Sequence, residues 1–204
     1  MSKAKIIYFD VDGGRGEAIR LAFHLGKIDF EDDRFVFSEF PVRRKQTPLG
    51  QVPVMELNGK TITQSNAILR YVGKLSGLYP TDELEALYCD EVMDAAEDLT
   101  DKFVATFGLE GDELKQAREA IVQGPLTRYA QFFENKLQEQ GGEFFAGHRL
   151  TIADLKVAVL MNWLMSGTLD HIPADHISIV ASKVADHNKR IMQDACIQDY
   201  YQNR

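Results

Sequence analysis

The feature that most limits what this chain can become is a change of hydrophobic rhythm at Gly77-Leu78-Tyr79-Pro80. Before it, short β-rich runs alternate with helical spacings; after it, every sustained pattern is helical. The first part reads β-α-β-α-β-β-α. Lys5 to Phe9 predicts a strand, and Gly14 to Leu25 a helix with Ala18, Ile19, Ala22, Phe23 and Gly26 on one spacing. A second strand is expected over Asp29 to Arg34, and Ser38-Glu39 opens a short helix to Lys45. Val54 to Leu57 and Lys60 to Thr63 flank Asn58-Gly59, a pair suited to a tight type I′ hairpin turn. Ser65 is the expected N-cap of a helix burying Ile68, Leu69, Val72 and Leu75.

The second part carries an apolar stripe from Leu84 and Leu87 to Phe103 and Phe107, then another from Glu113 to Glu139 that Pro125 should kink. Thr151-Ile152-Ala153-Asp154 is a capping-box variant. The helix it opens, to about Ser166, is apolar almost all round and should be the centre of a bundle. Shorter helices follow from Ala174. The expected architecture is an α/β domain over 1–78, a linker over 79–82 and an all-helical domain over 83–204.

Charge divides along the same line. Residues 1–78 hold 12 basic and 9 acidic side chains, a balance of +3, which leaves −11 for the rest of a chain whose net charge is −8. This asymmetry fits either an anionic ligand in the first part or contact between unlike halves of two subunits; ordinary acidic helix surfaces are the plainer account. A chain this acidic repels phosphate backbones, so no nucleic-acid partner is expected. The longest late apolar run, Val157 to Met161, is far below the roughly 20 residues of a membrane span. Two cysteines, no signal-peptide pattern and no lipidation motif point to the cytoplasm.

Several chemistries are excluded by what is missing. No Cys precedes Cys89, so the α/β part has no dithiol, and no Ser lies between Lys3 and Phe37 to serve as nucleophile at the first strand–helix junction. Gly13-Gly14-Arg15-Gly16 follows a strand, but a dinucleotide fingerprint counted from Gly14 needs glycine where Ile19 stands. His24, His148, His171, His176 and His187 lack metal-ligand spacing and read as surface or capping residues, so no metal is expected.

What remains is Tyr8 at the end of the first strand, before the glycine-rich turn. A phenol there can donate to an anion, helped by the following helix N-terminus and by Arg15. A thiol of pKa about 8.5 is only a few per cent thiolate at neutral pH. One charge-assisted hydrogen bond, worth roughly 1.5–3 kcal/mol, lowers that pKa by about one to two units. Pro53 adds a second feature: a cis Val52-Pro53 bond would turn the Val52 backbone toward an extended peptide, whereas a trans bond would mark an edge strand. Gln64-Ser65 offers an amide, a hydroxyl and a helix N-terminus, together suited to a carboxylate.

Tyr8-Phe9, Gly14 through Arg20, Val52-Pro53-Val54, Gln64 through Ile68 and Thr151 through Leu155 together resemble the cytosolic glutathione transferases, most closely the tyrosine-type sigma class. The resemblance spans nearly the whole chain. It implies a thioredoxin-like N-terminal domain, an all-α C-terminal domain and a homodimer, with glutathione as co-substrate and a small hydrophobic electrophile as the second. Position by position, it implies that Tyr8 holds the thiolate beside Arg15. Gln51, Val52 and Pro53 would meet the cysteinyl backbone, and Gln64 and Ser65 the γ-glutamyl carboxylate. Asp98 would reach the γ-glutamyl amine across the dimer, and Arg44 or Lys45 the glycyl carboxylate. Phe40 stands where many relatives carry an indole donor, and the turn from Tyr8 to Arg15 is one residue longer than usual. Phe9, Gly14, Phe103, Phe107 and Trp163 are the candidate electrophile walls. The resemblance also admits a glutathione-dependent isomerase acting on prostaglandin endoperoxides, and a non-catalytic, crystallin-like or regulatory protein.

Overall fold

The computed structural model describes residues 3–204; the first two residues of the expected N-terminal domain lie outside them. A four-stranded sheet in the order β2-β1-β3-β4 is built from β1 (Ala4–Phe9), β2 (Phe30–Phe35), β3 (Val54–Leu57) and β4 (Lys60–Ile62). β1 runs parallel to β2 and antiparallel to β3, and β3 and β4 form the expected hairpin. Asn58 and Gly59 both take positive φ, 51° and 74°, as a type I′ turn requires. The parallel β1–β2 pair needs a crossover, which α1 (Gly14–Leu25) supplies. The register places Tyr8 opposite Arg34, at the end of β1 where the chain leaves for α1.

Between β2 and β3, α2 (Phe40–Arg43) is a single turn flanked by 3₁₀ turns at Phe37–Glu39 and Arg44–Gln46. After the hairpin, α3 (Ser65–Ser76) buries Ile68, Leu69 and Val72. Leu75 is not on that face and stays exposed. Ser65 is the first helical residue rather than the cap: Gln64 holds the cap position, and the Ser65 hydroxyl is used elsewhere.

The helical part begins with α4 (Glu83–Val104), capped by Asp82, whose carboxylate accepts from the Leu84 and Glu85 amides at 2.9 and 3.0 Å. Its stripe is buried from Cys89 to Phe103, while Leu84, Leu87 and the downstream Phe107 stay exposed. The expected kink is present. α5 (Gly111–Ile121) passes through a π-helical stretch, Val122–Leu126, that contains Pro125, and continues as α6 (Thr127–Glu139). A proline removes one backbone donor and crowds the preceding turn, and widening the helix to a π turn absorbs both effects.

Helix α7 (Ile152–Leu164) is the centre of the bundle and is buried continuously from Ile152 to Met161. Its start is fixed by one buried carboxylate. Asp154 accepts from the Thr151 amide at 2.8 Å and hydroxyl at 2.7 Å, from the Phe145 amide at 3.0 Å, and contacts His187 Nε2 at 2.9 Å. His187 is therefore not a surface residue: it is buried and engaged by a buried carboxylate. α8 (His176–Val180), α9 (Ser182–Met192) and α10 (Ala195–Asn203) complete the chain. α4 and α9 pack on α7, and α7 also packs against α1 and α3, so the same helix holds the bundle to the α/β layer.

Among the described residues no helix is long and apolar enough to cross a membrane. No group of His, Cys, Asp and Glu among them is placed to hold a metal ion.

Candidate active site

A cleft of about 800 Å³ lies between the α/β layer and the bundle. A smaller hollow of about 510 Å³, beside Glu119 and His171, has none of the expected site residues.

Tyr8 forms part of the cleft floor and is 6% exposed. The start of α1 has amides without intrahelical partners, and one of them, the Arg15 N–H, donates to Tyr8 Oη at 2.9 Å. The phenol oxygen is thus an acceptor toward the helix and keeps its own hydrogen for a further partner. Burial pushes the Tyr8 pKa up, outweighing the Arg15 amide and the nearby cations, so the phenol stays protonated and remains a donor. The ring is held by close backbone approach. A Cβ on Gly14 would stand 2.3 Å from Tyr8 Oη, and one on Gly16 2.3 Å from the ring edge.

The Arg15 side chain turns to α4, where its guanidinium pairs with Glu97 and Asp101. Glu97 also accepts from the Ser65 hydroxyl at 3.1 Å and pairs with Lys156 of α7. One carboxylate therefore ties α1, α3 and α7 to α4 beside the tyrosine. Burial alone would raise its pKa, but the Lys156 ammonium and the Arg15 guanidinium hold it down, to about 2. Lys156 is itself pushed down by burial despite that partner.

The other expected residues divide clearly. Gln51, Val52 and Pro53 line the cleft, and the Val52-Pro53 bond is cis. Gln64 and Ser65 line it too. Gln64 is held at φ 73°, ψ 106°, a conformation that costs a side-chain-bearing residue of order 1–3 kcal/mol and that gathers at ligand clamps. Phe40 faces the cleft with the Arg44 guanidinium 5.3 Å from its ring centre. Lys45 is exposed and is not on the cleft wall, so of the two cations Arg44 is the one brought to the site.

Asp98 is likewise off this chain's cleft. It is exposed on α4, where its carboxylate accepts from Tyr129 Oη at 3.4 Å. Of the electrophile candidates, Phe9, Gly14, Phe107 and Trp163 line the cleft, whereas Phe103 is fully buried behind it with its ring 5.8 Å from Trp163. Phe103 supports the wall and does not form it. Phe37, its ring tilted against Phe9 with centroids 4.5 Å apart, joins the rim and was not among the expected residues. Nor were Glu97, Asp101 and Lys156. The only signal for the last was a lone cation in an otherwise apolar helical run.

A protonated phenol on a helix N-terminus, the cis Val52-Pro53 turn, the start of α3 at Gln64-Ser65 and an aromatic mouth share one cleft, an arrangement suited to an enzyme that activates a small thiol against apolar partners. The comparisons agree. Residues 4–74 match the family model "Glutathione S-transferase, N-terminal domain", and residues 97–204 match "Glutathione S-transferase, C-terminal domain". Glutathione S-transferase 1 of Ascaris suum is 32% identical over 169 residues, covering 80% of this chain and 81% of its own. Prostaglandin synthase D of Nilaparvata lugens superposes with a TM-score of 0.86 at 26% identity, covering 100% of this chain and 98% of its own. Monomeric Na-GST-3, a glutathione S-transferase of Necator americanus, superposes at 0.80 with 27% identity and the same coverage. The chain belongs to the glutathione S-transferase family and is a glutathione transferase, with the thioredoxin-like and helical domains of that family.

Proposed function

We propose that Tyr8 donates its hydrogen bond to the thiolate of bound glutathione, and that the anion attacks a small hydrophobic electrophile held against the aromatic mouth. The observation that carries this reading is the 2.9 Å bond from the Arg15 amide to Tyr8 Oη, which orients the phenol and leaves its hydrogen for sulfur. Arg15 acts on the site through that amide and through its position beside the nascent anion. The Val52 backbone pairs with the cysteinyl residue next to Gln51 and Pro53. Gln64 takes the γ-glutamyl carboxylate together with the helix-start amide of Ser65, whose hydroxyl is held by Glu97. Arg44 over Phe40 takes the glycyl carboxylate. Phe9, Gly14, Phe107 and Trp163 meet the electrophile, whose conjugation is a detoxifying step. No metal takes part in this scheme.

We assign the glutathione-binding domain to 1–78, the linker to 79–82 and the helical domain to 83–204. The active form is a sigma-class homodimer in which Asp98 serves the partner's glutathione; its exposure, away from its own cleft, supports that role. The hookworm neighbour is described as a monomer, so sedimentation of this chain is a direct check. The chain works in the cytoplasm, where the buried Cys89 and the exposed Cys196 remain free thiols.

Retention on immobilised glutathione followed by conjugation of chlorodinitrobenzene tests the main reading. Retention without turnover on any of several electrophiles would instead favour a binding or regulatory protein. The likeness to an insect prostaglandin synthase D favours one second reading, isomerisation of a prostaglandin endoperoxide with glutathione unconsumed. Product analysis with that substrate separates it from conjugation.

A further inference from the structure

Lys156 has no role in the scheme above, yet it occupies a costly place. It lies in α7 between the buried Leu155 and Val157, its side chain is 8% exposed, and its ammonium is led to a single carboxylate oxygen, Glu97 Oε2. Burial disfavours the charged ammonium there, and buried ion pairs of this kind are often no more stable than apolar replacements. Fold stability alone is therefore a poor account of it.

Its location supplies a better one. Lys156 is on the cleft-facing side of α7 with Val159, Leu160 and Trp163. The other oxygen of Glu97 holds Arg15, whose amide holds Tyr8 Oη. The ion pairs centred on Glu97 thus join two cations, Lys156 and Arg15, to two anions, Glu97 and Asp101. Within that paired cluster the charges cancel only because Lys156 is present.

We propose that Lys156 is a positioning residue for the thiolate: its ammonium cancels the charge of Glu97 at the cleft floor, so that the anion formed at Tyr8 does not meet an uncompensated carboxylate beside Arg15. It touches neither sulfur nor electrophile and is not a catalytic residue. The other charged groups nearby have partners outside this cluster. From α4, Asp94 accepts from the Asn66 amide, and from α1, Arg20, over the Tyr8 ring, pairs with Glu17 and Asp32. From the other elements packed on α7, Arg70 of α3 is paired with Asp90, and His187 of α9 with Asp154. Tyr8 of β1 is neutral. Without Lys156 the paired cluster carries one net negative charge, which disfavours a second anion beside it.

This inference rests on the Tyr8 reading. The test is the pH titration of enzyme-bound glutathione, followed by thiolate absorbance, with the pH profile of chlorodinitrobenzene conjugation. Lys156→Met should raise the bound thiol pKa by about one unit and lower kcat near pH 6.5 by about fivefold to tenfold, the deficit vanishing well above both pKa values. KM for glutathione should stay within about twofold, because binding groups are untouched. Lys156→Arg should restore the parent profile. The double variant Glu97→Gln with Lys156→Met, which removes both charges, should bring the thiol pKa back toward the parent and keeps the test open if the single variant does not fold. A folded Lys156→Met enzyme with an unshifted pKa, or a double variant shifted in full, would overturn the proposal and leave Lys156 a packing element. If the parent itself shows no depressed thiol pKa, the Tyr8 reading falls and takes this one with it.

Discussion

Replacing Tyr8 with Phe removes one hydroxyl from a ring that is otherwise fully packed, so its consequence can be worked out. The phenol is buried, protonated and already accepting from the Arg15 amide, which leaves a single hydrogen for the sulfur. A hydrogen bond to a charged acceptor contributes roughly 2 kcal/mol, which corresponds to about 1.5 units of thiol pKa. A bound thiol brought from about 8.5 to about 7 is about one-quarter thiolate at pH 6.5, against about 1% without the bond. Tyr8→Phe should therefore lose about 25-fold in kcat/KM near pH 6.5, and nearly nothing at about pH 9.5, where both thiols are ionised. Glutathione affinity should hold, because its carboxylates and backbone bind elsewhere. The Arg15 amide loses its acceptor, so unfolding free energy should also fall by about 1–3 kcal/mol. Stopped-flow conjugation of chlorodinitrobenzene across the pH range reads the first effect and urea titration the second. A deficit that stays constant with pH would refute the reasoning, since it would place the phenol in some step other than thiol ionisation.

Gly16→Ala puts a methyl group 2.3 Å from the Tyr8 ring edge, so it should displace the phenol, cost about 1–3 kcal/mol and lower activity more steeply than Tyr8→Phe; equal activity in Gly16→Ala and the parent would contradict the packing. Asp154→Ala strips the acceptor from the Thr151 and Phe145 amides, the Thr151 hydroxyl and His187, and should lower the unfolding temperature by about 10 °C or more, measured by calorimetry. For Glu97 the folded pKa is depressed to about 2. Its contribution, about 2–3 kcal/mol, is accordingly complete above about pH 4.5 and lost as pH falls toward 2. Urea titrations between those pH values should show that slope, and Glu97→Gln should flatten it.

Much of this could be read from residue order because local chemistry decided it. Asn58-Gly59 made the hairpin, Thr151 and Asp154 opened the central helix, and Pro125 altered the long helix where a proline must. The errors share a different cause. Phe103 and Phe107 stand one helical turn apart in sequence, and periodicity cannot say that one supports Trp163 from behind while the other faces the cleft. Ser65 has the composition of a cap, but a carboxylate 32 positions away captures its hydroxyl. His187 looked superficial because its partner, Asp154, is likewise 33 positions distant. Lys156 and Glu97 meet across 59 positions, and no local rule predicts that meeting. Tyr8, Phe9, Gly14, Arg15, Val52, Pro53, Gln64 and Ser65, which do gather in the cleft, belong to motifs each confined to a few consecutive positions.

Helix α7 is at once keystone and pocket wall, and this constrains how such an enzyme can acquire new substrates. Any residue altered on its cleft side also loosens the joint between the two halves of the molecule. Phe37 and Phe107, by contrast, are 65% and 58% exposed and hold little else in place. Diversification for a new acceptor should therefore begin at the outer lips of the mouth and reach the deep wall last.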